Sequence, residues 1–324
     1  MLKFSELNKI PLSEIWKNEA SDFTPWLESN IQTLGDALGM DLEIIDREAS
    51  VGDFSLDLRA QDLGSSRTVV IENQFKRTDH DHLGKLLTYA AGFDASIVVW
   101  ISEDIRDEHR QALEWLNQRT DTETQFFGVV LEVLRIDNSN PALEFKLVVS
   151  PNEWQKSQKQ KTSTDPSSRG EKYRSYFQIL IDELRENYKF TGAKVGIAQN
   201  WYNFSSGFGK IRYGAWFAKG GKVLTYVNIR QKIDEKRIKI FNMLENRKRE
   251  IGSNFGSPLE WSRDAEKSTS RIAISRDGDI ELPDSELEEI RRWHIENLLK
   301  LKEVFQPEIE KALETLNSSE KEEL

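Results

Sequence analysis

The chain reads as an α/β protein: a mixed sheet flanked by helices in its first half, followed by a smaller α+β domain. Three observations predict this. Apolar runs of strand length alternate with helical patterns up to about residue 150, the signature of a sheet with crossover helices. The stretch 155–171, QKSQKQKTSTDPSSRGE, is polar and lacks apolar periodicity, so it reads as a linker between domains at 1–154 and 172–324. Beyond it, short strands are bracketed by helices.

Residues 11–38 carry Leu12, Ile15, Trp16, Phe23, Trp26, Leu27, Ile31 and Leu34 at helical spacing. Thr24 and Pro25 suggest a capped helix start, and Gly39 a helix end. A strand is expected over 42–49. A second, over 54–60, alternates Phe54, Leu56 and Leu58 inward with Ser55, Asp57 and Arg59 outward. The third, 67–74, has an apolar run fit for burial on both faces. A helix capped by Thr78 or Asp79 then runs to about Gly92. A buried strand follows at 96–101, an amphipathic helix at 104–117, and strands at 126–136 and 143–149.

In the second half a helix is expected over 171–188, with Tyr173, Phe177, Leu180, Ile181 and Leu184 on one face. Strands at 213–218 and 223–229 join at Gly220-Gly221 as a hairpin. A basic helix is expected over 233–251, more strand at Trp261 and 271–275, and a closing helix over 284–316 with a possible interruption at Pro307.

The 324 residues contain no cysteine, which removes disulfides, thiolate zinc sites and a cysteine nucleophile. No apolar run is long enough to span a bilayer, and the opening MLKFSELNKIPL lacks the blocks of a signal peptide, so a cytoplasmic location without membrane attachment is expected. Of the net charge of −10, residues 1–160 carry −12 and the rest +2. An acidic first half is a poor non-specific DNA binder, yet it suits carboxylates gathered round a divalent cation; a solvated acidic surface fits the same numbers.

The chemistry is concentrated in two stretches, VGDFSLDLRA at 51–60 and VVIENQ at 69–74. Asp57 lies at the outward phase of one strand. Glu72 and Gln74, two apart, share a face of the next, and a hairpin between them brings Asp57 alongside Glu72. Polar groups ending an apolar strand need a partner. Two carboxylates beside the Asn73 carbonyl are what a hard cation requires, although an edge Glu72 paired with an arginine is the plainer alternative.

These residues resemble the PD-(D/E)XK nuclease superfamily, the fold of many restriction and repair endonucleases. Asp57 matches the family's metal-binding Asp and Glu72 the acidic residue of its (D/E)-x-K element, while Gln74 stands where that element has Lys. The stretch 72–92, ENQFKRTDHDHLGKLLTYAAG, is also similar to a bacterial branch often joined to an uncharacterised C-terminal domain. The resemblance covers about residues 10–150 and implies a restriction-endonuclease-like fold. It further implies Mg²⁺ (or Mn²⁺) held by Asp57, Glu72 and the Asn73 carbonyl, DNA as substrate, and a role in defence or repair. Coordinated cutting of both strands would need a homodimer.

Glutamine hydrogen-bonds but carries no charge, so Lys76, in phase with Gln74, or Lys85 on the next helix is the expected substitute. Lys85 and Tyr89 keep the spacing of a Gln-x-x-x-Tyr pair found in some branches, and both would face phosphate. Glu19 or Glu28 of the first helical segment is the candidate extra acid, with Glu19 preferred. His80 and His82 diverge at i, i+2; His82 is the candidate phosphate neighbour. In the second half Lys236, Lys239 and Arg247 suggest a basic stripe beside an aromatic-rich segment, Trp201 to Trp216, open to nucleic acid or simply a solvated helix over a core. The loss of Lys leaves a second reading: a nuclease fold without catalysis, binding DNA or protein. A structural subunit acting through the closing helix is a third.

Overall fold

The structure is a computed structural model, and it describes residues 4–121, 123–151, 168–230, 235–264 and 269–322. The chain divides into two units, Met1–Thr164 and Asp165–Leu324. The linker expected over 155–171 lies outside the described residues as far as 167; its last residues instead open a helix capped by Ser168, whose side chain accepts from the Glu171 amide.

The first unit is a seven-stranded mixed sheet. Its strands are β1 (Leu7–Ile10), β2 (Leu42–Val51), β3 (Phe54–Asp62), β4 (Thr68–Arg77), β5 (Ile97–Asp104), β6 (Gln125–Ile136) and β7 (Ala142–Val149). They run in the order β1-β6-β5-β4-β3-β2, with β7 also on β6. β4, β5 and β6 are parallel neighbours, and the rest pair antiparallel. Parallel strands need crossovers, supplied by α4 (His80–Gly92) and α5 (Asp107–Arg119). With helices on both faces, Val69, Val70, Ile71 and Ile97–Ile101 are at most 1% exposed, which explains their unbroken apolar run. One apolar cluster gathers Val70, Leu86, Tyr89 and Trp100 on the α4 face; the other gathers Phe23, Leu27, Ile71 and Val99 on the opposite face.

Several elements differ from expectation. Residues 11–38 are broken into α1 (Leu12–Ile15), a π-helical turn at Glu19–Phe23, α2 (Thr24–Ser29) and α3 (Ile31–Leu38). Thr24 is already helical (φ −60°, ψ −43°) and closes the π turn, so it is not the N-cap of α2; its hydroxyl accepts from Asn73 Nδ2 instead. Gly39 does end α3 in the left-handed region at φ 76°. Phe54, expected inward, is 50% exposed beside the β2–β3 turn. β1 escaped notice because three of its four residues are exposed and leave no alternation to read.

The second unit packs a five-stranded antiparallel sheet against helices. The strands are β8 (Trp201–Ser205), β9 (Ile211–Ala218), β10 (Lys222–Arg230), β11 (Glu260–Asp264) and β12 (Thr269–Asp277), in the order β11-β12-β10-β9-β8. Gly220 and Gly221, at φ 82° and 69°, make the β9–β10 turn. α6 (Arg169–Tyr188), α7 (Glu235–Asn246), α8 (Lys248–Phe255) and α9 (Asp284–Glu322) complete it. Phe177, Phe204, Tyr213, Phe241, Phe255 and Phe305 form its core. The single basic helix expected over 233–251 breaks at Arg247, whose backbone leaves the helical region (φ −99°, ψ 12°), and Ile233 lies outside the described residues. α9 continues through Pro307 without interruption. Among the described residues, no helix is long and apolar enough to cross a membrane.

Candidate metal centre

β3 and β4 pair antiparallel as far as Leu58 opposite Ile71. Opposed residues share a face, so the next step along each strand puts Asp57 and Glu72 on one side of the sheet. Here the ladder gives way to side chains. An Asp57 carboxylate oxygen accepts from the Asn73 amide at 2.7 Å. The π turn delivers Glu19 to the same strand end, where its carboxylate accepts from the Phe75 amide. Two acids from distant parts of the chain are thus fixed by successive odd-numbered amides of β4. That is why a loop-borne Glu can be held in place.

Glu72 is 4% exposed and one of its oxygens, Oε2, is buried without a hydrogen-bond partner. Leaving such a group unpaired costs about 1–3 kcal/mol, more when it is charged. Burial pushes its carboxyl up to about 8, and the Asp57 and Glu19 charges add to the push while Lys85 opposes it. Burial also raises Asp57 and Glu19; the amides of Asn73 and Phe75 and the charges of His82 and Lys85 offset part of this. Three acids, two cation-capable side chains and one orphan oxygen therefore share one electrostatic neighbourhood.

α4 supplies the opposing wall. Asp79 caps it, accepting from the His82 amide at 2.9 Å, and the same oxygen meets His82 Nδ1 at 2.8 Å. Gln74 Nε2 donates to the other Asp79 oxygen at 2.6 Å and to the Arg77 carbonyl at 3.2 Å, leaving Gln74 Oε1 buried and unpaired. Burial pushes the Asp79 carboxyl up, but the bonds to His82, the His82 charge and the Gln74 amide outweigh it and hold the group at about 2. Asp79 thus stays ionised and orients His82.

Lys85, on α4, is the lysine whose charge opposes the upward shifts of Glu19, Asp57 and Glu72. Lys76 is not. It is exposed, its φ is 77°, and the β4–β5 register slips between Gln74 and Arg77, so the alternation that would have aligned it with Gln74 is broken. Tyr89 is 1% exposed and its hydroxyl donates to the Ser55 carbonyl at 2.7 Å, so it walls the site and does not present its oxygen to phosphate. Burial and the Glu72 and Asp57 charges push that phenol to about 12. Glu28 pairs with Arg47. The two histidines do diverge: His80 Nδ1 meets His109 Nε2 at 3.0 Å, and buried His109 meets Thr78 Oγ1. The Gln74–Asp79–His82 chain was missed because Asp79 reads in sequence only as a helix cap. His109, 29 residues from His80, gives no sequence signal.

Among the described residues, no three His, Cys, Asp or Glu side chains form a cage for an ion. Mg²⁺ does not need one: it keeps several waters and takes one or two carboxylates. The orphan Glu72 oxygen, the neighbouring Asp57 carboxylate and the excess of acid over base fit such a cation. The Asn73 side chain alternates to the face opposite Glu72, where its Nδ2 donates to Thr24 Oγ1 at 3.0 Å and its Oδ1 is buried without a partner, so toward this site Asn73 offers its backbone carbonyl.

In the second unit, Lys239 is exposed but Arg247 is bound by Glu308 and Glu250, and the Lys236 side chain lies outside the described residues. Arg247 is therefore a packing residue, not part of a free basic stripe. Tyr202, Phe204 and Tyr213 of the aromatic segment are core.

Residues 172–309 match a domain family described as a domain of unknown function (DUF4268). A solved structure of a repair endonuclease from Pyrococcus abyssi aligns with 31% of this chain and 44% of its own, at 11% identity and a TM-score of 0.26. The alignment thus spans less than half of that protein. A comparison with curated proteins finds no match.

Proposed function

We propose that the first unit is a restriction-endonuclease-like phosphodiesterase that cleaves DNA with a divalent cation held by Asp57, Glu72 and the Asn73 carbonyl. The observation that carries this reading is the gathering of Glu19, Asp57 and Glu72 at one strand end, with a buried Glu72 oxygen left unpaired and Lys85 facing the group. When bound, Mg²⁺ or Mn²⁺ would supply a water of lowered pKa and positive charge against the phosphate.

This chain's own groups do the rest. Glu19 and Asp57 are held by backbone amides, so their positions are set before substrate arrives. Gln74 offers its unpaired Oε1 as acceptor to an attacking water, while its nitrogen stays tied to Asp79. Lys85 replaces the missing lysine of the (D/E)-x-K element as the cation beside the scissile phosphate. His82, fixed through Nδ1 by Asp79, is placed to meet a phosphate oxygen or leaving group.

Plasmid cleavage tests this. The wild-type chain should nick supercoiled DNA with Mg²⁺ or Mn²⁺ and not in EDTA, and Asp57→Ala and Glu72→Gln should each lose at least about a hundredfold in rate. The neutral, tethered Gln74 favours the rival reading of a non-catalytic nuclease fold. Retardation of DNA without cleavage in either metal would establish that rival.

A further inference from the structure

The five-stranded sheet of the second unit has two unlike faces. Tyr202, Phe204, Tyr213, Phe217 and Val227 point to the helices and join the core. The alternate positions carry Trp201, Trp216, Tyr226 and Arg271, none of them in that core. Register places Trp201 directly opposite Trp216 and Asn228 opposite Arg271. The Tyr226 ring lies flat over Gly214, where a Cβ would stand 2.2 Å from the ring. Its hydroxyl is fixed to Asn203 Oδ1 at 2.8 Å.

Across this floor Arg271 reaches from β12 over β10 to β9. Its guanidinium carbon lies 5.1 Å from the Tyr226 ring centre and 4.8 Å from that of Trp216. Among the described residues no carboxylate pairs with it, and its Nε and the adjacent Asn228 Oδ1 are both buried without partners. Arg212 and Arg230 share the face. Among its described acid side chains, Glu260 is on the edge strand and Asp277 is paired with Lys222 near the β9–β10 turn. Trp201 continues the row into a cavity of about 700 Å³ that Tyr173, Gln199 and Lys219 also line. Gln199 Oε1 is a further buried acceptor with no partner.

We propose that this face binds single-stranded nucleic acid. Bases stack on Trp201 and on the outer face of the Arg271 guanidinium, which lies over Trp216 and Tyr226 and turns an N–H edge to a backbone phosphate, and a terminal base enters the cavity, where Gln199 accepts from a base N–H. Partly exposed tryptophans beside an arginine held on aromatic rings rather than by a described carboxylate are a stacking platform with a charge of the right sign. A duplex hides its base faces and cannot use that platform. The proposal stands apart from the catalytic reading, because no residue of the first unit enters it.

The test is fluorescence anisotropy with a labelled oligothymidylate of about 20 nucleotides, longer than one stacking site, on the full Asp57→Ala chain in EDTA. Binding should be salt-sensitive and stronger than to a duplex of equal length. It should weaken at least about tenfold in Trp216→Ala and in Arg271→Glu. Circular dichroism establishes that each variant folds, and Arg271→Glu carries the test if Trp216→Ala does not. Absence of binding, equal or tighter binding of duplex, or affinity unchanged by Arg271→Glu overturns the proposal. Absence of cleavage by the wild-type chain in Mg²⁺ or Mn²⁺, with oligonucleotide binding retained, would sink only the catalytic reading.

Discussion

At the scale of single residues, Glu72 is where stability and proposed function oppose each other. Its folded pKa of about 8 lies above the usual carboxylate value of 4.5, so between those limits the folded state holds more protons than the unfolded one. Stability from this group is fully present below the unfolded value and is lost as pH rises through the folded value. Metal-free protein should therefore be less stable at pH 9 than at pH 6, and Glu72→Gln should flatten that difference in thermal melts taken in EDTA. Adding Mn²⁺ at pH 8 should raise the melting temperature of the wild type and leave Glu72→Gln nearly unmoved, because a ligand bound only by the folded state stabilises it by mass action. Lys85 gives a converse prediction. Lys85→Met removes the cation that competes with a metal, so the Mn²⁺-induced rise should persist or grow while cleavage falls. A parallel loss of the rise would mean that Lys85 supports the fold of the site. The shared face of Asp57 and Glu72 was legible because Asp57 takes the outward phase of an alternating strand and Glu72 ends an apolar one across the hairpin. The Asp79–His82 contact was not, since a helix cap and a ring-orienting acid have the same sequence signature.

At the scale of elements, the readable parts are those whose burial is periodic. β4, β5, α4 and α5 were placed because burial on both faces or on one stripe leaves a period in the sequence. The π turn at Glu19–Phe23 was not, because what holds Glu19 is the Phe75 amide, 56 residues away. Pro307 failed differently: a general rule was outvoted by packing. Ile309 and Ala312 beyond it are at most 1% exposed, and the buried Glu308 pairs with Arg247, so tertiary contacts carry the helix across the missing hydrogen bond. Pro307→Ala restores the amide and should raise the melting temperature, by an amount bounded by the roughly 3 kcal/mol that separates the two residues in helix interiors. A lowered melting temperature would mean that the proline ring packs productively. The glycine turn is the opposite case, one in which local rule and structure agree. Gly221→Val forces a β-branched residue to φ 69° and should cost about 1–3 kcal/mol in chemical denaturation, with no effect on cleavage.

At the scale of the whole molecule, the two units are set against each other in pH. His294 is fully buried in the second unit, its Nδ1 meeting the Tyr176 hydroxyl at 2.7 Å. Burial and the Arg276 charge depress its pKa to about 3, although the Leu224 backbone opposes the shift. A histidine kept neutral inside the fold binds fewer protons than in the unfolded chain. Its contribution is therefore whole above the usual value of 6.5 and is lost as pH falls toward 3. Glu72, Asp57, Glu19 and Asp62, all raised by burial, give the first unit the reverse slope, which buried His109, lowered by burial, partly offsets. Lowering the pH from 8 to 5 in EDTA should then separate two transitions in calorimetry of the full chain, the one from the first unit moving up and the one from the second moving down. His294→Gln should level only the second slope and Glu72→Gln only part of the first. A single transition whose pH dependence is unchanged by either substitution would show that neither buried group sets the acid response. The catalytic reading would then lose its thermodynamic support, because the same burial that shifts Glu72 is what makes a cation welcome beside it.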